Sequence, residues 1–478
     1  MPANALARLD DAHPGLPPAD RVATGKAARR AVPREAHAAF EPRSDRPDPV
    51  SLLERQGADR VADLLPIRYG RMLAGPLSYL RGAALPMAAD LSGTPASGLT
   101  AQLCGDAHLA NFGIFASPER RLVFDINDFD ETLPGPWEWD VKRLAASLEV
   151  AGRGNGFGAR QRRRIVTAAV AHYRLAMRSL AGLGTLDVWY SHSELDELTQ
   201  RYQAVLSKRE RALAGTDLSG SGRLGATDSE RRELARLVTM AAGDPRIVSA
   251  PPLTVPVGEL PGAETDRVQA ELSRVVAGYR KSLEPSRRQL VSEFAVADMA
   301  RKVSGVGSVG MRCWIVLLTG RDPRDWLFLQ LKEAQPSVLS EFAGASEFAN
   351  QGQRVVNGQR LMQASSDIFL GWHRSGTRQD SRVDYYVRQL RDWKFSIATD
   401  QMRTATMGAY ASLCGRILAR AHARTGDRVA IGAYLGGSAA FESAIADFAA
   451  LYAEQNERDY ALFQAAVRAG RLPATPGV

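Results

Sequence analysis

Cysteine is scarce: three residues, Cys104, Cys313 and Cys414, in a chain of 478. Their scattered spacing excludes both a disulfide framework and a zinc site built on paired cysteines. Cys104, two residues ahead of Asp106, reads as a small buried thiol rather than a nucleophile. Histidine is nearly as rare, and His172 and His192 have no partners at ligand spacing, which assigns them to structure. Long apolar runs are missing: none approaches the roughly 20 residues that a membrane-spanning helix needs. The stretch from Met1 to Arg8 lacks the apolar core of a signal peptide, so a cytoplasmic location is the expectation. No stretch interleaves basic and aromatic residues as nucleic-acid-binding motifs do.

What is present suits a globular protein, with 45% hydrophobic and 24% charged residues. The length predicts two lobes or two domains. The net charge of +8 suits an anionic ligand such as a nucleotide. The densest basic cluster, Arg160 to Arg164, precedes an apolar helical pattern and reads as a solvated helix start.

Chemistry concentrates in two places. The first is Gly105-Asp106-Ala107-His108-Leu109-Ala110-Asn111, followed by Leu122 to Ile126 and then Asn127-Asp128-Phe129-Asp130-Glu131. A strand over 100–104 is predicted to enter the loop, and a hairpin over 111–126 to turn around Ser117-Pro118-Glu119-Arg120. Such a hairpin returns Asn111 and Asp128 to the same end. Phosphoryl transfer needs this inventory: a carboxylate at the acceptor, and an Asn with a second Asp to hold magnesium on nucleotide phosphates. A capped, Asx-rich turn uses the same residue types for structure alone.

The second is Val303 to Gly310, a G-x-G-x-x-G pattern on Gly305, Gly307 and Gly310 with Ser308 inside it. The next run, Cys313 to Leu318, reads as a strand, whereas a dinucleotide fingerprint requires a helix there. A strand, a glycine loop over phosphates and another strand form the kinase arrangement. The following strand, Trp326 to Leu331, ends at Lys332, which resembles the kinase lysine that pairs nucleotide phosphates. An edge-strand lysine that blocks aggregation is the plainer reading. A carboxylate to hold the lysine is expected from the helical stretch after Val338, with Glu347 first and Glu341 second. Arg71 and Arg81, just ahead of the first stretch, read either as surface charge or as phosphate contacts.

Residues 1–47, rich in Ala, Arg, Pro and Asp without periodicity, read as a mobile segment with room for a short helix. Helical pattern starts near Asp48 and returns at Val141 to Leu148, through Ile165 to Met177, and from Thr404 onward. The stretches 215–229 and 250–262 read as surface connectors. Strands at 368–372 and 385–390 lead to Asp392-Trp393-Lys394. The predicted organisation is 1–47 mobile, 48–285 large-lobe part, 286–396 small lobe, and 397–478 helices completing the large lobe.

Gly105-Asp106-x-His108-x-x-Asn111 resembles the catalytic loop of the aminoglycoside-phosphotransferase branch of the kinase-like superfamily. Asp128-Phe129-Asp130 resembles its metal-binding Asp-Phe motif, and the Pro136 to Val141 segment the place where a buried Asp, here Asp140, braces the loop. More closely, from about Tyr79-Leu80-Arg81-Gly82-Ala83-Ala84 to the C-terminal helices, the chain resembles the DUF2252 family, bacterial proteins of unassigned function grouped with kinase-like folds.

The resemblance implies an α+β, two-lobed protein-kinase-like fold, a small antiparallel-sheet lobe on a mainly helical large lobe. It implies ATP and Mg2+ as cofactors, with Gly305, Gly307, Ser308 and Gly310 over the phosphates and Lys332, held by Glu347, pairing them. Asn111 and Asp128 would hold the metal, with Asp125 and Asp130 in reserve, and the 392–394 segment would form the hinge to adenine. Asp106 would act on the acceptor hydroxyl and His108 would orient the loop by hydrogen bonding.

The order is reversed relative to a kinase, since Asp106 and Asp128 precede the glycine loop; this implies a circular permutant. The helix over 413–422 would then replace the one that normally runs into the catalytic loop. Three alternatives stand beside phosphoryl transfer: nucleotidyl (AMP) transfer, a nucleotide-binding pseudokinase without turnover, and a metal-dependent hydrolase that leaves the glycine loop unused. The acceptor and the oligomeric state are not legible.

Overall fold

In the computed structural model, the structure describes residues 16–191, 236–241, 243–376, 382–390 and 399–478. The Glu138–Gly154 helix is buried along nearly its whole length. The Ala159–Ala181, Thr404–Thr425 and Ala440–Arg468 helices pack around it. A helix buried on all sides belongs to the centre of a helical layer. Leu144, Leu148, Ile165, Tyr173, Leu418 and Ile445 meet in its core.

A six-stranded antiparallel sheet forms the other layer. Its order is Gly371–Ser375, Val383–Gln389, Trp326–Glu333, Cys313–Thr319, Ala295–Lys302 and Thr254–Pro256. Side chains alternate across a strand. Leu327, Leu329 and Leu331 therefore join Val316, Leu318 and Val387 against the Gly262–Tyr279 helix. Phe328 takes the opposite face with Ile315 and Leu317, and Lys332, four residues on, shares that face. The overall class is α+β, as the sequence predicts.

Two boundaries differ from expectation. The strand Thr254–Pro256 and the helix Gly262–Tyr279 belong to the sheet layer, which therefore begins well before residue 286. The 250–262 stretch is correspondingly more than a connector. The segment expected to be mobile up to residue 47 is built into the body from Pro18: the Pro18–Ala31 helix packs on the Arg428–Leu435 helix. Arg21 Nη2 lies 2.7 Å from Asp427 Oδ1, and buried His37 shares a 2.6 Å hydrogen bond with the Tyr434 hydroxyl. Gly25 is the buried residue of that helix, so its contact leaves no apolar stripe to read. Among the described residues, no single helix is long and apolar enough to cross a membrane. His192, the 215–229 stretch and the 392–394 segment lie outside the described residues.

Candidate functional site

The Thr100–Leu103 strand pairs antiparallel with Leu133–Pro136 and delivers the chain to Gly105. There φ is 84°, and a Cβ would stand 2.1 Å from the Glu131 carbonyl oxygen, so only glycine fits. Asp140, in the first turn of the central helix, accepts the Cys104 N–H at 2.8 Å and the Gly105 N–H at 3.1 Å. His422 Nε2 sits 3.2 Å from the same carboxylate, and the Tyr173 hydroxyl meets the other ring nitrogen at 2.9 Å. Further along, Leu109 N–H donates to Ser147 Oγ at 2.9 Å and the Tyr410 hydroxyl donates to Leu109 O at 2.6 Å.

Those bonds fix the backbone from which the site side chains project. Asp106 Oδ1 accepts Arg143 Nε at 2.8 Å and Nη2 at 2.7 Å. Arg143 also donates to Leu80 O at 2.7 Å, tying the loop to the Pro76–Gly82 helix. Asn111 Nδ2 donates to Asp106 O at 2.7 Å.

The buried His108 donates its backbone N–H to Asp106 O at 2.8 Å. Its ring Nε2 stands 3.7 Å from Asp106 Oδ2, beyond hydrogen-bond range, and Nδ1 has no partner. The backbone, not the ring, thus makes the bond expected of His108. Burial pushes the imidazole down to about 4; Asp106 opposes this and Arg81 and Arg143 add to it, so the ring is neutral at pH 7. All three cysteines are free and buried, and burial holds the Cys104 thiol well above its usual range.

The hairpin is Phe112–Ala116 with Leu122–Ile126, in register Phe112 to Ile126. Asn127 N–H donates to Asn111 O at 2.8 Å, so Asn111 and Asp128 emerge side by side. Asp125 is consumed by structure: it is 1% exposed and pairs with buried Arg420 at 2.6 Å. The Asp128 side chain is 33% exposed and stands 3.9 Å from Lys332 Nζ. Asp130 is closer still. Its Oδ2 accepts Lys332 Nζ at 2.6 Å and its Oδ1 accepts the Tyr386 hydroxyl at 2.6 Å. Lys332 and Tyr386 are cross-strand partners on the inward face of the sheet. Burial penalises the Lys332 charge, but Asp128 and Asp130 outweigh it and hold the ammonium well above its ordinary range.

The lysine's carboxylate is therefore Asp130 rather than Glu347. Glu347 is exposed in a bend before the Gln351–Met362 helix, and exposed Glu341 pairs with Arg55 at 2.9 Å. What that helix presents is Arg354, donating to Thr132 O at 2.7 Å and Asp130 O at 2.8 Å.

Strands 295–302 and 313–319 pair across the glycine loop, with Ala300 opposite Ile315. Arginines hold the loop by its carbonyls. Arg71 Nη1 donates to Gly305 O at 2.6 Å, and Arg60 Nη1 to Gly307 O at 2.7 Å and to Val309 O. Ser308 Oγ donates to Ser304 O at 3.1 Å, and Gly310 O accepts Val61 N–H at 2.8 Å. Arg71 is thereby spent on the loop and on Val478 O, not held for a phosphate.

The sequence reading missed Arg143, Tyr386, Arg60 and Arg354. Arg143 lies three residues after Asp140, the same face of one helix, and Tyr386 alternates with Arg388 on one strand. Those local signals mark a shared face without naming the distant partner. Among the described residues no three His, Cys, Asp or Glu side chains group to hold a metal ion by themselves. A cation here would draw on the Asn111 carboxamide and on ligand oxygens as well.

No curated protein and no solved structure matches the chain. Residues 60–466, which include every site residue named above, match the family model described as "Uncharacterized protein conserved in bacteria". The chain belongs to the DUF2252 family.

Proposed function

We propose that the protein is an ATP- and magnesium-dependent phosphotransferase with a circularly permuted kinase-like arrangement. One observation carries the reading: Lys332, from the strand beyond a glycine hairpin, meets Asp130 at 2.6 Å and Asp128 at 3.9 Å, across 202 residues of sequence to the nearer partner. Strand, glycine loop, strand, lysine strand and helix is the order of the nucleotide-binding half of a kinase, and an Asp-Phe stretch facing the lysine belongs to its catalytic half. The Thr404–Thr425 helix, which reaches Asp140 through His422, takes the place of the helix that ordinarily leads into the catalytic loop.

The donor set fits the cofactors. Asn111 and Asp128 offer the oxygen ligands that a hard cation takes, and magnesium usually completes its shell from substrate phosphates and water. Bound there, magnesium neutralises charge on the nucleotide phosphates. Arg81 Nε and His108 Nδ1 are among the buried polar atoms without hydrogen-bond partners, and a polar ligand between them would satisfy both. The 303–310 loop covers the phosphates and Lys332 pairs them. Both of the bonds that Arg143 makes to Asp106 fall on Oδ1, which leaves Oδ2 to orient an acceptor hydroxyl and take its proton. The hydroxyl oxygen then bonds to the terminal phosphorus as the bond to the departing ADP breaks.

ATP carrying label on the α- or the γ-phosphate tests this against a panel of hydroxyl acceptors. Transfer of γ-label with ADP as product, lost in Asp106→Asn, is expected. Transfer of α-label would assign nucleotidyl transfer instead, and absence of any transfer by protein that binds ATP would assign a pseudokinase.

A further inference from the structure

Most arginines around the cleft are committed. Arg60 and Arg71 hold glycine-loop carbonyls, Arg143 holds Asp106, and Arg354 holds the Asp130 backbone. Arg81 is different. Among the described residues its side chain makes no hydrogen bond or ion pair, and its Nε is buried without a partner. The side chain is half-buried: its inner Nε is cut off from water, a cost that a ligand can relieve, while the outer nitrogens stay open to one.

The backbone around Arg81 is fixed on both sides. Leu80 O accepts Arg143 Nη2 at 2.7 Å, and Gly82 O accepts Arg68 Nη2 at 2.9 Å. Its own carbonyl lies against the glycine loop, where a Cβ on Gly307 would stand 3.2 Å away. Its side chain lies within electrostatic reach of the Asp106 carboxylate and the His108 ring. Arg81 therefore adjoins the loop assigned to the phosphates and the carboxylate assigned to the acceptor.

Resting on the phosphotransferase reading, we infer that Arg81 binds the terminal phosphoryl group of the nucleotide, the group in transfer between the glycine loop and Asp106. A planar guanidinium suits paired contacts to phosphoryl oxygens, and a preorganised cation at that point stabilises the charge spread over them in the transition state. The site would then read the presence of the third phosphate, and Arg81 would be the residue that distinguishes ATP from ADP.

Calorimetry on the full chain with magnesium, comparing the β,γ-imido analogue of ATP with ADP, tests this on wild type, Arg81→Gln and Arg81→Lys. Wild type is expected to prefer the triphosphate. Arg81→Gln should weaken the triphosphate by about tenfold or more while leaving ADP within about twofold, since it removes a charge-assisted contact made only to the third phosphate. Retained ADP binding certifies the variant as folded. Should the Gln variant not fold, Arg81→Lys carries the test, because it keeps the charge but loses the fork and should still weaken the triphosphate more than ADP. Equal weakening of both nucleotides, or of neither, would overturn the inference and leave Arg81 as a structural neighbour of Asp106 or a contact to the acceptor. If wild type binds neither nucleotide, the phosphotransferase reading falls, and this inference with it.

Discussion

The Asp106 loop, the floor of the candidate site, and the glycine loop, its roof, are held by opposite means. In the floor, buried side chains of the helical body capture the loop: Asp140 takes two backbone N–H groups, Ser147 a third, and Arg143 the Asp106 carboxylate. In the roof, arginines from the Ala62–Gly82 region and its lead-in reach across and hold the glycine loop by its carbonyls, and the Arg71 bond to Gly305 is exposed. Buried bonds are expensive to break because they strand desolvated groups, whereas exposed ones exchange with water. The contrast is sharpest at the outer edge of the glycine loop: Arg60 holds Gly307 and Val309 by part-buried and buried bonds, whereas the exposed Arg71 bond leaves Gly305 the freer end.

Asp140→Ala should do the most damage. It leaves Cys104 N–H, Gly105 N–H and His422 without their acceptor, for a cost of about 3–5 kcal/mol in chemical denaturation. A loss under about 1 kcal/mol would mean that these bonds do not hold the floor. Next comes a contrast within one short stretch. Asp125→Asn strands buried Arg420 and should cost about 3 kcal/mol, whereas Asp128→Asn, at a third-exposed site, should stay within about 1 kcal/mol of wild type in stability. Equal losses would erase the distinction between the two aspartates.

Arg60→Ala releases two glycine-loop carbonyls and should cost about 1–2 kcal/mol. Hydrogen exchange should quicken over 303–310 and stay unchanged at Cys104 and Gly105; matched changes would show that roof and floor move as one.

The smallest effect is a pH dependence beside the floor. Burial raises the Glu131 carboxyl from 4.5 to about 7, partly opposed by the Val338 N–H it accepts. The folded chain thus keeps a proton that the unfolded chain has lost, so this group subtracts stability as pH rises from about 4.5 to about 7, and no further above that. Glu131→Gln should melt like wild type near pH 4.5 and above it at pH 8, by about 1 kcal/mol once partial exposure is allowed for. An unchanged difference across that window would remove Glu131 as its source.

Much of this plan was legible residue by residue. Short apolar runs located strands at 313–318 and 326–331, which the structure extends to 313–319 and 326–333, and so put Lys332 past a glycine hairpin; turn residues at 117–120 located the hairpin that returns Asn111 toward Asp128. Partners across long sequence separations were not. Periodicity tells which face a residue takes but not what lies opposite, so Glu347 was a reasonable candidate for the lysine until Asp130, two residues from the expected metal ligand, was found on it. The Arg143 clamp on Asp106 stayed hidden for the same reason. A short helix was allowed for within 1–47, but the docking of Pro18–Ala31 stayed hidden because its closest approach is at Gly25, which leaves no apolar signature.

The most direct measurement is calorimetric titration of ATP, with and without magnesium, into wild type, Asp128→Ala, Lys332→Ala and the double variant. If the 128–130 stretch and the lysine strand form one nucleotide site, binding depends on magnesium, each single change weakens it, and the double change costs less than the sum of the two. Independent, additive effects, or loss in only one variant, would contradict a shared site and leave the Asp106–Asp130 cluster with a chemistry of its own.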